Sequence, residues 1–113
     1  MNCNITYTKL FEKSLKRLSK HYKSLRDDFA NFLHSVQDNP LQGVDLGGCV
    51  RKVRMSIASK GKGKSGGARV LTFLISQEED FIHIVLLDIY DKSERETMTD
   101  NEIKTLLKKA GWQ

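Results

Sequence analysis

Between Leu46 and Gln77 the chain carries no acidic residue, yet Arg51, Lys52, Arg54, Lys60, Lys62, Lys64 and Arg69 all fall there. Guanidinium and ammonium groups at this density attract a polyanion and can stabilise charge developing on a phosphate. Lys52 and Arg54 are spaced two apart, so on a strand they share one face. Arg69 opens the apolar run that follows a glycine- and lysine-rich stretch, and Tyr90 and Lys92 close the last one. Gathered on one surface, this set suits RNA: the cations hold the backbone, and a tyrosine stacks on a base or exchanges a proton. Crowding among cations favours the neutral amine, so one lysine of the group is a candidate general base toward a ribose 2′-OH. From composition and spacing alone, binding without catalysis is the simpler account, and a solvated basic segment with no partner is the plain alternative.

The charge is local rather than general. The chain has 19 Lys and Arg against 14 Asp and Glu, a formal charge of +5, and seven of those cations lie in the acid-free window. Outside it, 12 basic residues face 14 acids.

Other motifs carry less. Gly61-Lys62-Gly63-Lys64-Ser65-Gly66 satisfies GxGxxG and ends like a P-loop, but both motifs require a helix directly afterward to present free N–H groups to phosphate. Here the next pattern, from Arg69 to Ile75, is a strand, and Ala58 stands where a P-loop needs glycine. His21, His34, His83, Cys3 and Cys49 have no metal-ligand spacing on any one element, so no metal and no cofactor is expected. His83, between two isoleucines, reads as a structural histidine. Asp88 in an apolar strand needs either a hydrogen-bonding partner or a position at a wet strand edge.

The elements that must position these residues follow from periodicity. The 113 residues suffice for one domain, 1–113, with 39% hydrophobic and 29% charged residues, as in soluble proteins. Asn2–Tyr7 alternates as a strand. From Leu10 to Val36 the apolar stripe is helical, and it is too long for one helix in a domain this size. A break at residues 21–23, with Ser24 and Asp27 as a capping box, makes it a helical hairpin that Asn39-Pro40 ends. Gly43–Gly48 reads as a turn, and Val50–Ile57 as a strand with Val53 and Met55 opposite Lys52 and Arg54. Residues 59–67 read as a flexible loop. Val70–Ile75 and Phe81–Tyr90 read as strands, the latter apolar enough to be interior. Thr99 with Glu102 caps a last helix whose apolar side is Ile103, Leu106, Leu107 and Ala110. The order βααβββα predicts an α+β fold with the hairpin packed on an antiparallel sheet. No stretch is apolar enough to span a membrane and the N-terminus has no signal-peptide pattern, so a cytoplasmic location is expected, in keeping with two cysteines in no paired motif.

Three segments also carry a resemblance. Arg51-Lys-Val-Arg-Met, Ser59-Lys-Gly-Lys-Gly-Lys-Ser-Gly-Gly-Ala-Arg69-Val and Leu87-Asp-Ile-Tyr-Asp-Lys-Ser-Glu94 resemble the RelE/ParE superfamily of bacterial type II toxins, in particular its HigB-like branch. The resemblance implies the RelE-like fold and a ribosome-dependent mRNA endonuclease that needs no metal. The 2′-OH attacks the adjacent phosphate, giving a 2′,3′-cyclic phosphate and a free 5′-hydroxyl. It implies mRNA, the ribosome with its 16S rRNA, and a cognate antitoxin from the adjacent gene as partners. Carried over by position, Lys52 and Arg54 match paired basic strand residues, with Lys52 the better candidate base. Arg69 matches the phosphate-stabilising arginine, and Lys92 the basic group near the leaving oxygen. No aromatic residue follows Tyr90 until Trp112, so Tyr90 is the candidate for the family's C-terminal tyrosine, with a stacking role. Arg51, Lys60, Lys62 and Lys64 are the expected RNA and ribosome contacts. The alternatives are a ParE-like toxin acting on DNA gyrase and a non-catalytic RNA-binding module.

Overall fold

The computed structural model describes residues 2–61, 63–95 and 98–112, and for Lys64 and Ser65 only the backbone. β1 (Asn2–Tyr7) ends at Thr8, whose hydroxyl oxygen accepts the Phe11 N–H at 3.0 Å and so caps α1 (Lys9–His21). α2 (Leu25–Asp38) starts where expected, but by a different device. The Ser24 hydroxyl does not cap the helix; it donates to Asp28 at 2.7 Å and accepts the Ser59 N–H at 2.9 Å. Asp28, only 8% exposed, also accepts the Ala58 N–H, so this pair ties the hairpin to a 3₁₀ turn at Ala58–Lys60. A buried carboxylate without such partners would be costly, which is why the serine serves it instead of the helix end.

Four more strands follow: β2 (Val44–Gly47), β3 (Val50–Met55), β4 (Ala68–Glu78) and β5 (Phe81–Asp91). They join β1 in one sheet of order β1–β5–β4–β3–β2. β2 occupies the segment expected to be a turn, with Val44 opposite Lys52. The antiparallel expectation holds for β2 to β5, but β1 pairs with β5 in parallel, so the sheet is mixed. The chain leaves β1 through the helical hairpin and returns along the far edge of the sheet before closing beside β1. The α+β class stands. The segment expected to be a flexible loop is instead folded into the 3₁₀ turn and a single helical turn, α3 (Gly63–Gly66).

Both faces of the sheet are covered. Phe11, Leu18, Leu25, Phe32 and Val36 of the hairpin pack on Val53, Met55, Val70, Ile84, Leu86 and Ile89. Each fully buried Leu or Phe contributes ~1.5–3 kcal/mol from water exclusion. On the opposite face, α4 (Asp100–Lys109), closed by the expected Thr99–Glu102 capping box, lays Ile103 and Leu107 on Val50, Leu71, Val85, Leu87 and Tyr90. β5 lies inside the sheet, as expected, and is buried from both sides. Among the described residues no helix is long and apolar enough to cross a membrane.

Candidate functional site

Register decides which side chains meet. Arg54 of β3 lies directly opposite Arg69 of β4, and Arg69 lies opposite Tyr90 of β5. Directly paired residues project from the same face. Arg54, Arg69 and Tyr90 therefore form one row across three strands, with Lys52 beside it, two residues before Arg54. α4 covers the half of this face around Val50 and Leu71; next to it a cleft of about 300 Å³ is lined by Lys52, Arg54, Arg69, Gln42 and Val44 among others. Arg54 is exposed, Lys52 half-buried, and Arg69 buried at 3% exposure on the floor of the cleft.

A bulge makes this row possible. β5 carries an irregularity opposite Leu71 and Thr72: Leu71 pairs with Asp88, but Thr72 pairs with Leu86. Before it, even-numbered residues Ile84 and Leu86 face the hairpin; after it, Ile89 does. One extra residue thus turns Tyr90 to the arginine face and Asp91 to the hairpin face.

Gly67 closes the other side. A side-chain carbon there would lie 2.1 Å from the Met55 carbonyl oxygen, so only glycine lets the chain pass so close to the end of β3. Its carbonyl accepts the Lys92 N–H at 3.1 Å, which places the Lys92 backbone at the end of the sheet where β4 begins, one residue before Arg69.

The remaining expected contacts separate. Arg51 projects from the face opposite Lys52 and Arg54, with its guanidinium 3.9 Å from Asp45. Lys60 is no loop lysine open to solvent: its ammonium is 2.6 Å from Asp91, with the two side chains 11% and 4% exposed. That corrects its expected role as an RNA contact, since its charge is neutralised under the turn. Lys62 lies outside the described residues, as does the side chain of Lys64. Tyr90 is also corrected as a stacking residue, because its ring is 4% exposed beneath α4, with the Arg95 guanidinium 6.0 Å from its centroid. Trp112 instead packs its ring 5.5 Å from that of Phe73 and stays 43% exposed.

Asp88 finds the partner a strand carboxylate needs: the Ser14 hydroxyl donates to it at 2.7 Å and the Ile89 N–H at 2.9 Å. Burial still raises its pKa above the ordinary aspartate value, against these hydrogen bonds and the nearby Arg17 and Arg95. His83 meets Thr6 at 3.1 Å, as a structural histidine should. Sequence reasoning passed over Asp91, Tyr22 and Gly67. The signals were an acid closing an apolar strand and a Gly-Gly pair just before a strand, and neither is specific.

A comparison with protein-family models matches residues 5–112 to the RelE toxin of the RelE/RelB toxin-antitoxin system. The chain belongs to the RelE toxin family. As a RelE-family toxin it is one half of a toxin-antitoxin pair, so a cognate antitoxin is its expected protein partner. In this RelE chain the match spans the hairpin, the sheet and the last helix, and includes every residue of the arginine row.

Proposed function

We propose that this toxin is an endoribonuclease that cuts mRNA on the ribosome, and that it falls in the HigB-like branch of its superfamily. One observation carries the reading: Arg54 and Arg69 are opposed on one sheet face with Lys52 in the same cleft. Two arginines paired on one sheet face suit a phosphodiester monoanion, and their attraction grows as it becomes a pentacoordinate dianion. In the proposed reaction Lys52 takes the proton from a ribose 2′-OH, the O2′–P bond forms and the P–O5′ bond breaks. The Lys92 ammonium stands by the departing O5′ and gives it the proton with which it leaves as a 5′-hydroxyl, while the other product ends in a 2′,3′-cyclic phosphate. Tyr90 packs beside Arg69 under α4 rather than stacking on a base. Side chains supply every proton and charge in this scheme. Work on the ribosome implies a cytoplasmic site of action.

The burial of Arg69 favours one competing reading, a basic cleft that binds RNA without cutting it. Primer extension on cellular mRNA after induction separates the two. Cuts inside translated reading frames support the endonuclease, whereas intact mRNA rejects it. DNA damage with intact mRNA would point to a gyrase-directed, ParE-like toxin.

A further inference from the structure

Asp91 sits behind the cleft. The bulge that turns Tyr90 toward the arginines sends the Asp91 carboxylate to the hairpin face, where it is 4% exposed. Its Oδ1 accepts from Lys60 Nζ at 2.6 Å and from the Ser93 N–H at 3.0 Å, and its Oδ2 accepts the Tyr22 hydroxyl. The Lys60 ammonium also lies 5.6 Å from the centre of the Tyr22 ring. One carboxylate therefore joins the chain just after α1, the 3₁₀ turn, the end of β5 and the turn beyond it. In the backbone, Asp91 pairs with Ala68, and the next N–H, of Lys92, donates to Gly67. Asp91 is thus tied to both segments that carry Arg69 and Lys92, without entering the cleft itself.

A buried ion pair is poor evidence for stability, because desolvation offsets most of the attraction. Its clearest consequence is geometric: each hydrogen bond fixes one segment relative to the others. We propose that the Lys60–Asp91–Tyr22 cluster is a positioning device that holds Arg69 and Lys92 at the separation a scissile phosphate requires, with Asp91 as its central positioning residue. The inference rests on the endoribonuclease reading above. A displacement of ~1 Å at a reacting centre lowers a rate by ~10²-fold, so loosening this clamp should be visible in the chemical step.

The test is single-turnover cleavage of a reporter mRNA on purified ribosomes by wild type, Asp91→Asn, Lys60→Met and the double variant. Each single change leaves a buried charge without its counter-ion, so loss of activity there is partly loss of fold. The double variant removes both charges, and thermal melting establishes that it folds. We expect its cleavage rate at saturating ribosome to fall ~10–100-fold while half-saturation stays within about twofold, a split that general destabilisation does not produce. A folded double variant cutting at the wild-type rate, or weakened only in half-saturation, overturns the proposal. If the double variant does not fold, Tyr22→Phe decides, since it removes one hydroxyl and keeps the ion pair: a fall of ~3–10-fold in the same rate supports the clamp, and no change rejects it. A wild-type protein that cuts no mRNA removes the endoribonuclease reading itself, and the clamp's role with it.

Discussion

Arg54 and Arg69 are direct cross-strand partners on β3 and β4, and their side chains leave the sheet on the same face. An anion bound by the pair binds the folded state alone and so stabilises it. Phosphate should therefore raise the melting temperature at constant ionic strength. Arg54→Gln should keep the fold and lose the phosphate response. Differential scanning fluorimetry reads both, and an undiminished response in the variant would detach Arg54 from anion binding.

Arg69 is the buried member of the pair, held on the cleft floor at 3% exposure. If it stabilises charge on the phosphate, Arg69→Ala should cut the cleavage rate by ~10²–10³-fold with the fold retained. Circular dichroism and single-turnover cleavage together check this; full activity would remove Arg69 from the mechanism.

Gly67 is the backbone crossing that lets β3 and β4 meet. A methyl group there would lie 2.1 Å from the Met55 carbonyl oxygen and 3.0 Å from the Ile57 nitrogen, both backbone atoms that move only with the sheet. Gly67→Ala should lose at least ~1–3 kcal/mol in urea unfolding. The loss should exceed that at Gly61, where φ is +71° but nothing lies within 4 Å. Equal losses would mean that conformation, not crowding, sets the requirement.

Two aspartates give the acid limb of stability opposite contributions. Burial alone would raise the Asp91 pKa, but the Lys60 ammonium, the Tyr22 hydroxyl and the Ser93 N–H outweigh it and hold the carboxyl well below the usual range. Its folded value is below its unfolded one, so its contribution is present above the ordinary carboxylate range and is lost as pH falls through and below it. Asp88 is raised by burial, so its ionisation disfavours the folded state, and acidification relieves that. Unfolding free energies measured from neutral pH into acid should show a shallower acid limb for Asp91→Asn. Asp88→Asn should be at least as stable as wild type at neutral pH, with its advantage vanishing in acid. An unchanged acid slope in Asp91→Asn would contradict the first assignment.

Much of the molecule was legible from local chemistry. The stripe from Leu10 to Val36 specified a hairpin, the Thr99–Glu102 box specified a helix start, and strand spacing put Lys52 and Arg54 on one face, because these depend on neighbours a few residues apart. The parallel pairing of β1 with β5 and the strand character of Val44–Gly47 depend on partners far along the chain, and no local pattern encodes them. Lys60 shows the limit most clearly. In sequence it is one more cation in a basic run; in space it is Asp91's counter-ion. The arginine row was decided by the fold alone. β5 is apolar on both faces, so its alternation contains no mark of which side is which, and a single bulge opposite Leu71 and Thr72 inverts the strand beyond it. Without that extra residue Tyr90 would face the hairpin and Asp91 the cleft, since a strand's side chains repeat every second residue and one insertion exchanges its two faces.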